Sequence, residues 1–260
     1  MRSINYNSTL HSTYERGRTL AADTVAQWMD TISEYVSKSK GLRILDIGSG
    51  TGRFSLPLAE WFEASVIGME PSEAMRRKAK TTCRAGQISY IGGKVEYIPL
   101  VDRCVDVIFA SMVIHHFDDI EKACQEIART LRPHGHVFIR NSFKNRLDSV
   151  RYYDFFPSAR DIDNSRLPGI GVIVNIFQKI GLTLEDHRVI RQCIDDSLAA
   201  HCERIKLKAL STFEFISEEE FQHGIRNMEE LARSEVPPRP VFEDIDLLVF
   251  KKITVAGWPI

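Results

Sequence analysis

The segment Leu45-Asp46-Ile47-Gly48-Ser49-Gly50-Thr51-Gly52 constrains this chain more than any other. Three glycines at alternate positions follow a short apolar run, LRILDI at 42–47, and precede a helical pattern that runs to about residue 62. Glycine at such a turn permits positive φ and lets a ligand approach the backbone directly. A first strand joined in this way to a first helix is the opening unit of a doubly wound α/β fold, whose ligands sit beyond the carboxyl ends of the strands. Taken alone the turn is a weak signal, because a tight strand-to-helix connection need bind nothing.

The rest of the chain keeps the rhythm that this start requires. Apolar runs at 65–70, 87–93, 104–110, 136–141, 183–192 and 244–253 read as further strands, giving seven in all. Between them lie helical patterns. Leu20, Val25, Trp28, Met29, Ile32 and Val36 share one face of a helix over 19–38. Pro71-Ser72 opens a second helix with Ser72 as its N-cap, and Gly86 closes the loop after it. Asp118 or Asp119 caps a helix to Leu131, which Arg132-Pro133 and Gly135 stop. A helix over 172–181 ends at Gly181, and residues 195–233 read as helical, with Ser217 and Glu220 as a capping box. The pattern predicts an α/β fold: a doubly wound, mostly parallel, Rossmann-like seven-stranded sheet with helices on both faces and helical insertions after strands 5 and 6. A single domain over 1–260 is expected. Its parts are an N-terminal arm and helix at 1–40, a ligand-binding half at 41–141 and a substrate-side half at 142–260. Residues 144–168 are too long for a plain connection and mix aromatics, charges and two prolines.

Composition removes several classes of function. Thirty-four basic residues against thirty-five acidic ones leave no basic bias, which argues against a dedicated nucleic-acid binder. The five cysteines are scattered with no CxxC pair, so neither a disulfide framework nor a metal site is indicated. No apolar run approaches the roughly 20 residues needed to cross a bilayer, and the N-terminus lacks the apolar core of a signal peptide. A cytoplasmic protein is expected, and nothing in the sequence speaks to its oligomeric state.

Two residues narrow the ligand. Glu70 ends the second strand 22 positions after Gly48, where a doubly wound fold places a carboxylate to receive both hydroxyls of a ribose. A dinucleotide site needs G-x-G-x-x-G, and its third glycine would fall at Arg53. Asp46, just ahead of the glycines, would sit awkwardly beside a pyrophosphate and suits a ligand carrying an amino group and a sulfonium.

At this point the sequence resembles the class I S-adenosylmethionine (SAM)-dependent methyltransferases, in particular a small-molecule, type 11-like branch, over about residues 40–141. LDIGSGTG is similar to the family's first motif and EPSEAM (70–75) to its second. GGKVEYIPL (92–100) resembles the third-strand motif, VDVIFASMVIHHF (105–117) the fourth, and ARTLRPHGHVFI (128–139) the helix-to-fifth-strand signature. The resemblance implies SAM as cofactor and S-adenosylhomocysteine as product. It places Asp46, Gly48, Ser49 and Gly50 around the methionyl part, Glu70 on the ribose and Pro71 beside the adenine. Lys94 and Val95 form the adenine wall, and Ser111 and Met112 lie at the end of the fourth strand. Lys94 departs from the motif: the family commonly has an acid that accepts from the adenine amino group, and lysine can only donate. Tyr14 and Arg18 resemble an arm that folds over the cofactor in some relatives.

Methyl transfer needs little covalent help, so the absence of a catalytic triad is no objection. His115 and His116 are candidates for a general base, because histidine titrates near neutral pH; the alternative is a turn cap and a packed ring. Tyr152 and Tyr153 either line an acceptor pocket or pack the 144–168 segment. A small-molecule methyl acceptor is the leading reading. A non-catalytic SAM-binding protein and an NAD(P)-dependent reductase are the alternatives; Arg53 and the lack of a Tyr/Lys relay motif count against the latter.

Overall fold

β1 (Arg43–Ile47), β2 (Ser65–Met69), β3 (Ile88–Ile91), β4 (Val105–Ser111), β5 (Leu131–Asn141), β6 (Leu182–Asp195) and β7 (Val241–Lys252) form one sheet in the order β3-β2-β1-β4-β5-β7-β6. The computed structural model describes residues 17–81 and 86–253. β1 lies inside the sheet, between β2 and β4, and its side chains are buried from Ile44 to Ile47, as a parallel strand covered on both faces requires. It pairs in parallel with β2 and with β4, Leu45 standing between Ile67 and Ile108. β2–β3 and β4–β5 are parallel as well, whereas β7 runs antiparallel to β5, with Asn141 opposite Asp246. The mostly parallel, seven-stranded sheet read from the sequence is the one observed.

The helices are α1 (Ala22–Ser33), α2 (Ser55–Phe62), α3 (Glu73–Lys80), α4 (Ile120–Thr130), α5 (Pro157–Arg166), α6 (Ile170–Lys179), α7 (Leu198–Lys206) and α8 (Glu218–Ser234). Ser72 caps α3, its hydroxyl accepting from the Met75 N–H at 3.3 Å. Asp119, rather than Asp118, caps α4 through the Lys122 N–H at 3.0 Å. Gly181 follows α6 at φ 83°.

The boundaries differ in three places. β5 is entered directly at Leu131, but its regular register with β4 begins only at His136, opposite Val107. Pro133 cannot donate and His134 stands at φ 64°, so the intervening residues break the ladder, and the regular part of the strand is the 136–141 run read from the sequence. Residues 195–233 form two helices, α7 and α8, parted by a single 3-10 turn at Ser211–Glu214. The capping box is half made. Ser217 accepts from the Glu220 N–H at 3.1 Å, but the Glu220 carboxylate turns to Ser158, taking its N–H at 3.1 Å and its hydroxyl at 2.6 Å.

The described residues divide into two compact units. The sheet unit takes in residues 25–81, 86–141, 168–189 and 246–253; the helical unit takes in 17–24, 142–167 and 190–245. The sheet unit is built on Leu45, Ile108, Phe109, Val137 and Phe138 of its central strands, all essentially inaccessible. The helical unit has its own apolar cluster, in which Phe156 stacks on Phe221 and meets Phe213 edge-on. Among the described residues no helix is long and apolar enough to cross a membrane. Tyr14 lies outside the described residues; Arg18 is half-buried in the helical unit.

Candidate functional site

The glycine turn is anchored to β2 before it meets anything else. The N–H groups of Gly48 and Ser49 both donate to the Met69 carbonyl, at 2.8 and 3.1 Å. Gly48, Gly50 and Gly52 adopt φ values of 64°, 56° and 84°, in the left-handed region that favours glycine. Space reinforces conformation: a methyl on Gly48 would lie 2.4 Å from Val113 Cγ2, and one on Gly52 would lie 2.3 Å from the Tyr90 hydroxyl. The turn thereby lies against the segment that follows β4.

Glu70 stands at the tip of β2, 7% exposed. Its Oε1 accepts from the Ser72 N–H at 2.8 Å and its Oε2 from the Gly50 N–H at 3.1 Å. Burial raises its pKa, against the two backbone donors and Arg76, which lower it. Arg76 braces the same loop from α3, donating to the carbonyls of Glu70 at 2.6 Å and Pro71 at 2.9 Å. An ionised carboxylate offers about four acceptor positions, and the backbone uses two of them. Both oxygens therefore keep capacity for a pair of vicinal hydroxyls.

Asp46 is fully buried beneath the turn. Its Oδ2 accepts from the Ser55 hydroxyl at 2.6 Å. Desolvation pushes its pKa up to about 7, despite the Ser55 hydroxyl and the charge of Arg53. Ser49 is 8% exposed, and its hydroxyl has no hydrogen-bond partner among the described residues. A buried hydroxyl without a partner is costly, and its place within the turn suits a polar ligand there. Glu70 with spare acceptor capacity, a backbone no side chain could cover, and the Ser49 hydroxyl together fit an adenosine ligand with an amino-acid arm.

The third-strand loop is arranged differently from the family pattern. Val95 is buried, while the Lys94 ammonium turns outward to Asp118 Oδ2 at 2.8 Å. The Lys94 carbonyl accepts from the Tyr97 N–H. Glu96, unremarked in the sequence, is 6% exposed and receives the Asp118 N–H at 2.8 Å, so the loop is tied to the start of α4. Gly93 abuts Met69, which brings this loop beside the tip of β2.

At the tip of β4, Ser111 accepts from Arg140 Nη1 at 3.1 Å, and the Met112 N–H donates to the Arg140 carbonyl at 2.8 Å. Met112 itself takes φ 54°, unusual outside glycine. His115 and His116 follow on a 3-10 turn, Ile114–His116, with ring centroids 4.1 Å apart. Asp106, at the opposite end of β4, is structural: it accepts from the Arg43 N–H at 2.9 Å and pairs with Arg132 at 2.8 Å.

Thus Asp46, Gly48, Ser49, Gly50, Glu70, Pro71, Val95, Ser111, Met112, His115 and His116 all lie in the sheet unit, Asp46 and Ser111 near the ends of β1 and β4 and the others on the segments that follow β1, β2, β3 and β4. Tyr152 and Tyr153 belong to the helical unit. They are 6% and 8% exposed, and both hydroxyls donate to Asp163 Oδ2, at 2.9 and 2.8 Å. Their observed contacts are those of packed core residues. Arg76, Ser55 and Arg140 were not singled out from the sequence. Only Arg140 carried a signal, as a charge in the otherwise apolar run HVFIRN.

Comparison with known proteins agrees with this geometry. A family model described as a methyltransferase domain matches residues 45–139. An uncharacterised methyltransferase of Oceanobacillus iheyensis is 28% identical over 172 residues, covering 63% of this chain and 79% of its own length. A methyltransferase from an antibiotic biosynthesis pathway of Anabaena variabilis superposes with a TM-score of 0.66 at 23% identity, covering 88% of this chain and 97% of that one. Phosphoethanolamine N-methyltransferase 2 of Haemonchus contortus, solved with SAM, gives a TM-score of 0.62 at 17% identity, covering 94% of this chain and 57% of its own. The structural likenesses concern the fold; the family match spans the stretch from the glycine turn to β5 that carries the ordered motifs. Fold, motif order and sequence relatives thus agree on a class I SAM-dependent methyltransferase, the matched methyltransferase domain lying at residues 45–139.

Proposed function

We propose that this enzyme transfers the methyl group of SAM to a small-molecule acceptor, with the cofactor seated along the turns after β1, β2, β3 and β4. The observation that carries the placement is Glu70, whose carboxylate is oriented by the Gly50 and Ser72 N–H groups yet retains acceptor capacity for two ribose hydroxyls. Asp46 and the turn at Gly48–Gly50 are assigned to the methionyl arm, Pro71 and the backbone at Lys94 and Val95 to the adenine. The Lys94 side chain is assigned no contact, because it pairs with Asp118.

The sulfonium of bound SAM supplies an already activated methyl group. What remains for the chain is positioning: holding an acceptor atom in line with the carbon–sulfur bond, an effect that can lower a barrier by about 7–11 kcal/mol. His115 and His116 are the assigned bases if the accepting atom must lose a proton, as a phenol would. A small acceptor is supported by the near balance of charges, which offers no basic stripe for a nucleic acid. The fold is also shared with an N-methyltransferase named for phosphoethanolamine. The test is calorimetry with SAM, S-adenosylhomocysteine and NADH, followed by a methyl-transfer screen over a metabolite panel. Binding of SAM and turnover of a panel member are expected; binding of NADH without SAM would overturn the reading.

A further inference from the structure

We propose that Arg76 is a positioning residue for the cofactor ribose, holding the bend at Glu70–Pro71 in the shape in which the Glu70 carboxylate can receive both ribose hydroxyls. The inference rests on the cofactor placement above and adds a residue that acts on the ribose only through that bend. Glu70, Pro71 and Ser72 connect β2 to α3, and Arg76 reaches back over them from the first turns of the helix. Its backbone N–H donates to the Ser72 carbonyl at 3.1 Å, in the ordinary helical manner. Its guanidinium does something less ordinary: Nη1 alone donates to the Glu70 carbonyl at 2.6 Å and to the Pro71 carbonyl at 2.9 Å.

Two successive carbonyls that meet one nitrogen bring the negative ends of their dipoles together. A cationic donor with two hydrogens on that nitrogen offsets the repulsion and makes the bend favourable. The side chain also has a fitted seat. A methyl on Gly92, just after β3, would stand 3.1 Å from Arg76 Cζ and 3.2 Å from each of Nη1 and Nη2, so the guanidinium lies against bare backbone there. Its neighbour Arg77 instead extends into solvent and pairs with Glu73. Arg76 therefore ties the segment after β2 to the segment after β3.

Glu70 is thus held at both ends of its backbone, its N–H by the Ile91 carbonyl at 3.1 Å and its own carbonyl by Arg76. With the Gly50 and Ser72 N–H groups on the carboxylate, the two oxygens have a set orientation. A pair of hydroxyls bound to two oxygens at once weakens on both contacts when the carboxylate tilts, so support behind it matters more than for a single bond. The charge of Arg76 acts in the same direction. Burial raises the Glu70 pKa and Arg76, with the backbone donors, opposes that rise, which favours the ionised form that accepts on both oxygens.

The test measures, by calorimetry, binding of S-adenosylhomocysteine and of its 2′-deoxy and 3′-deoxy counterparts, each lacking one ribose hydroxyl. The proteins are the wild type and the Arg76→Gln, Arg76→Leu, Arg76→Lys and Glu70→Ala variants. The wild type is expected to prefer the complete ribose by about tenfold, and Glu70→Ala to show no preference. Arg76→Gln and Arg76→Leu are expected to lose most of the preference although both keep Glu70. Arg76→Lys, which retains the charge and can donate to both carbonyls, is expected to keep it. A merely structural role weakens all three ligands in equal proportion and leaves the preference at its wild-type value, and that result overturns the inference. Should Arg76→Gln fail to fold, Arg76→Leu is read in its place. A wild type that binds the deoxy forms as tightly as the complete ribose overturns the placement itself, and this inference with it.

Discussion

The Gly50 N–H donates to Glu70 Oε2 at 3.1 Å, joining the glycine turn to the tip of β2 across twenty residues of chain. The same carboxylate takes the Ser72 N–H, so one side chain aligns both loops that flank the proposed ribose site. Replacing Glu70 by Ala removes the acceptor for the ribose and loosens both loops. Hydrogen bonds to charged groups contribute about 1.5–3 kcal/mol, so SAM affinity should fall about tenfold or more by calorimetry. Unchanged affinity would mean that the ribose lies elsewhere.

Asp46 makes stability depend on pH in a defined direction. Burial carries its pKa from 3.8 in the unfolded chain to about 7 in the folded one. Between those values the folded state keeps a proton that the unfolded state has released. The contribution of this group to stability is therefore greatest at low pH, falls as pH rises toward about 7, and is level above it. Urea denaturation of the wild type and of Asp46→Asn at pH 5 and pH 8 tests this. The variant should gain on the wild type as pH rises, and parallel behaviour at the two pH values would refute the burial argument.

Gly68 on β2 is required by its neighbour rather than by its backbone. A methyl there would lie 2.5 Å from Tyr90 Cδ1, 2.6 Å from Cε1 and 2.9 Å from the Ser49 hydroxyl. Overpacking of this kind costs about 1–3 kcal/mol, so Gly68→Ala should lower the denaturation midpoint. Shortening the ring should restore part of the loss: the double variant Gly68→Ala/Tyr90→Leu is expected to be more stable than the sum of the two single changes. Simple additivity would show that the clash is relieved in some other way.

Glu220 serves α5 more than its own helix. Its carboxylate holds Ser158 through both the backbone N–H and the hydroxyl, while Ser217 alone caps α8. A double-mutant cycle distinguishes the two roles. Ser158→Ala and Glu220→Ala should couple by at least about 0.5 kcal/mol, and Ser217→Ala, a loss of about 1 kcal/mol, should add to Glu220→Ala independently. Coupling confined to the Ser217 pair would restore the capping-box reading.

The sequence by itself determined the order of strands and helices, the positive-φ glycine turn, the acid at the tip of β2 and the cap at Ser72, and it narrowed the cap of α4 to Asp118 or Asp119. These are local matters: hydrophobic period, turn chemistry and a hydroxyl or carboxylate three residues from the N–H it receives. Only the tertiary structure decided where long side chains went. Lys94 and Glu96 meet Asp118 across more than twenty residues, Glu220 reaches back sixty-two residues to Ser158, and Arg140 crosses from β5 to Ser111. Each of these partners is chosen by strand register and by which surfaces the core brings together. Such choices have no repeat in the chain to betray them, because loop closure puts residues side by side without regard to their spacing. The one trace left in the sequence was a lone charge in a buried strand, Arg140, whose meaning depended on the serine that packing set opposite it.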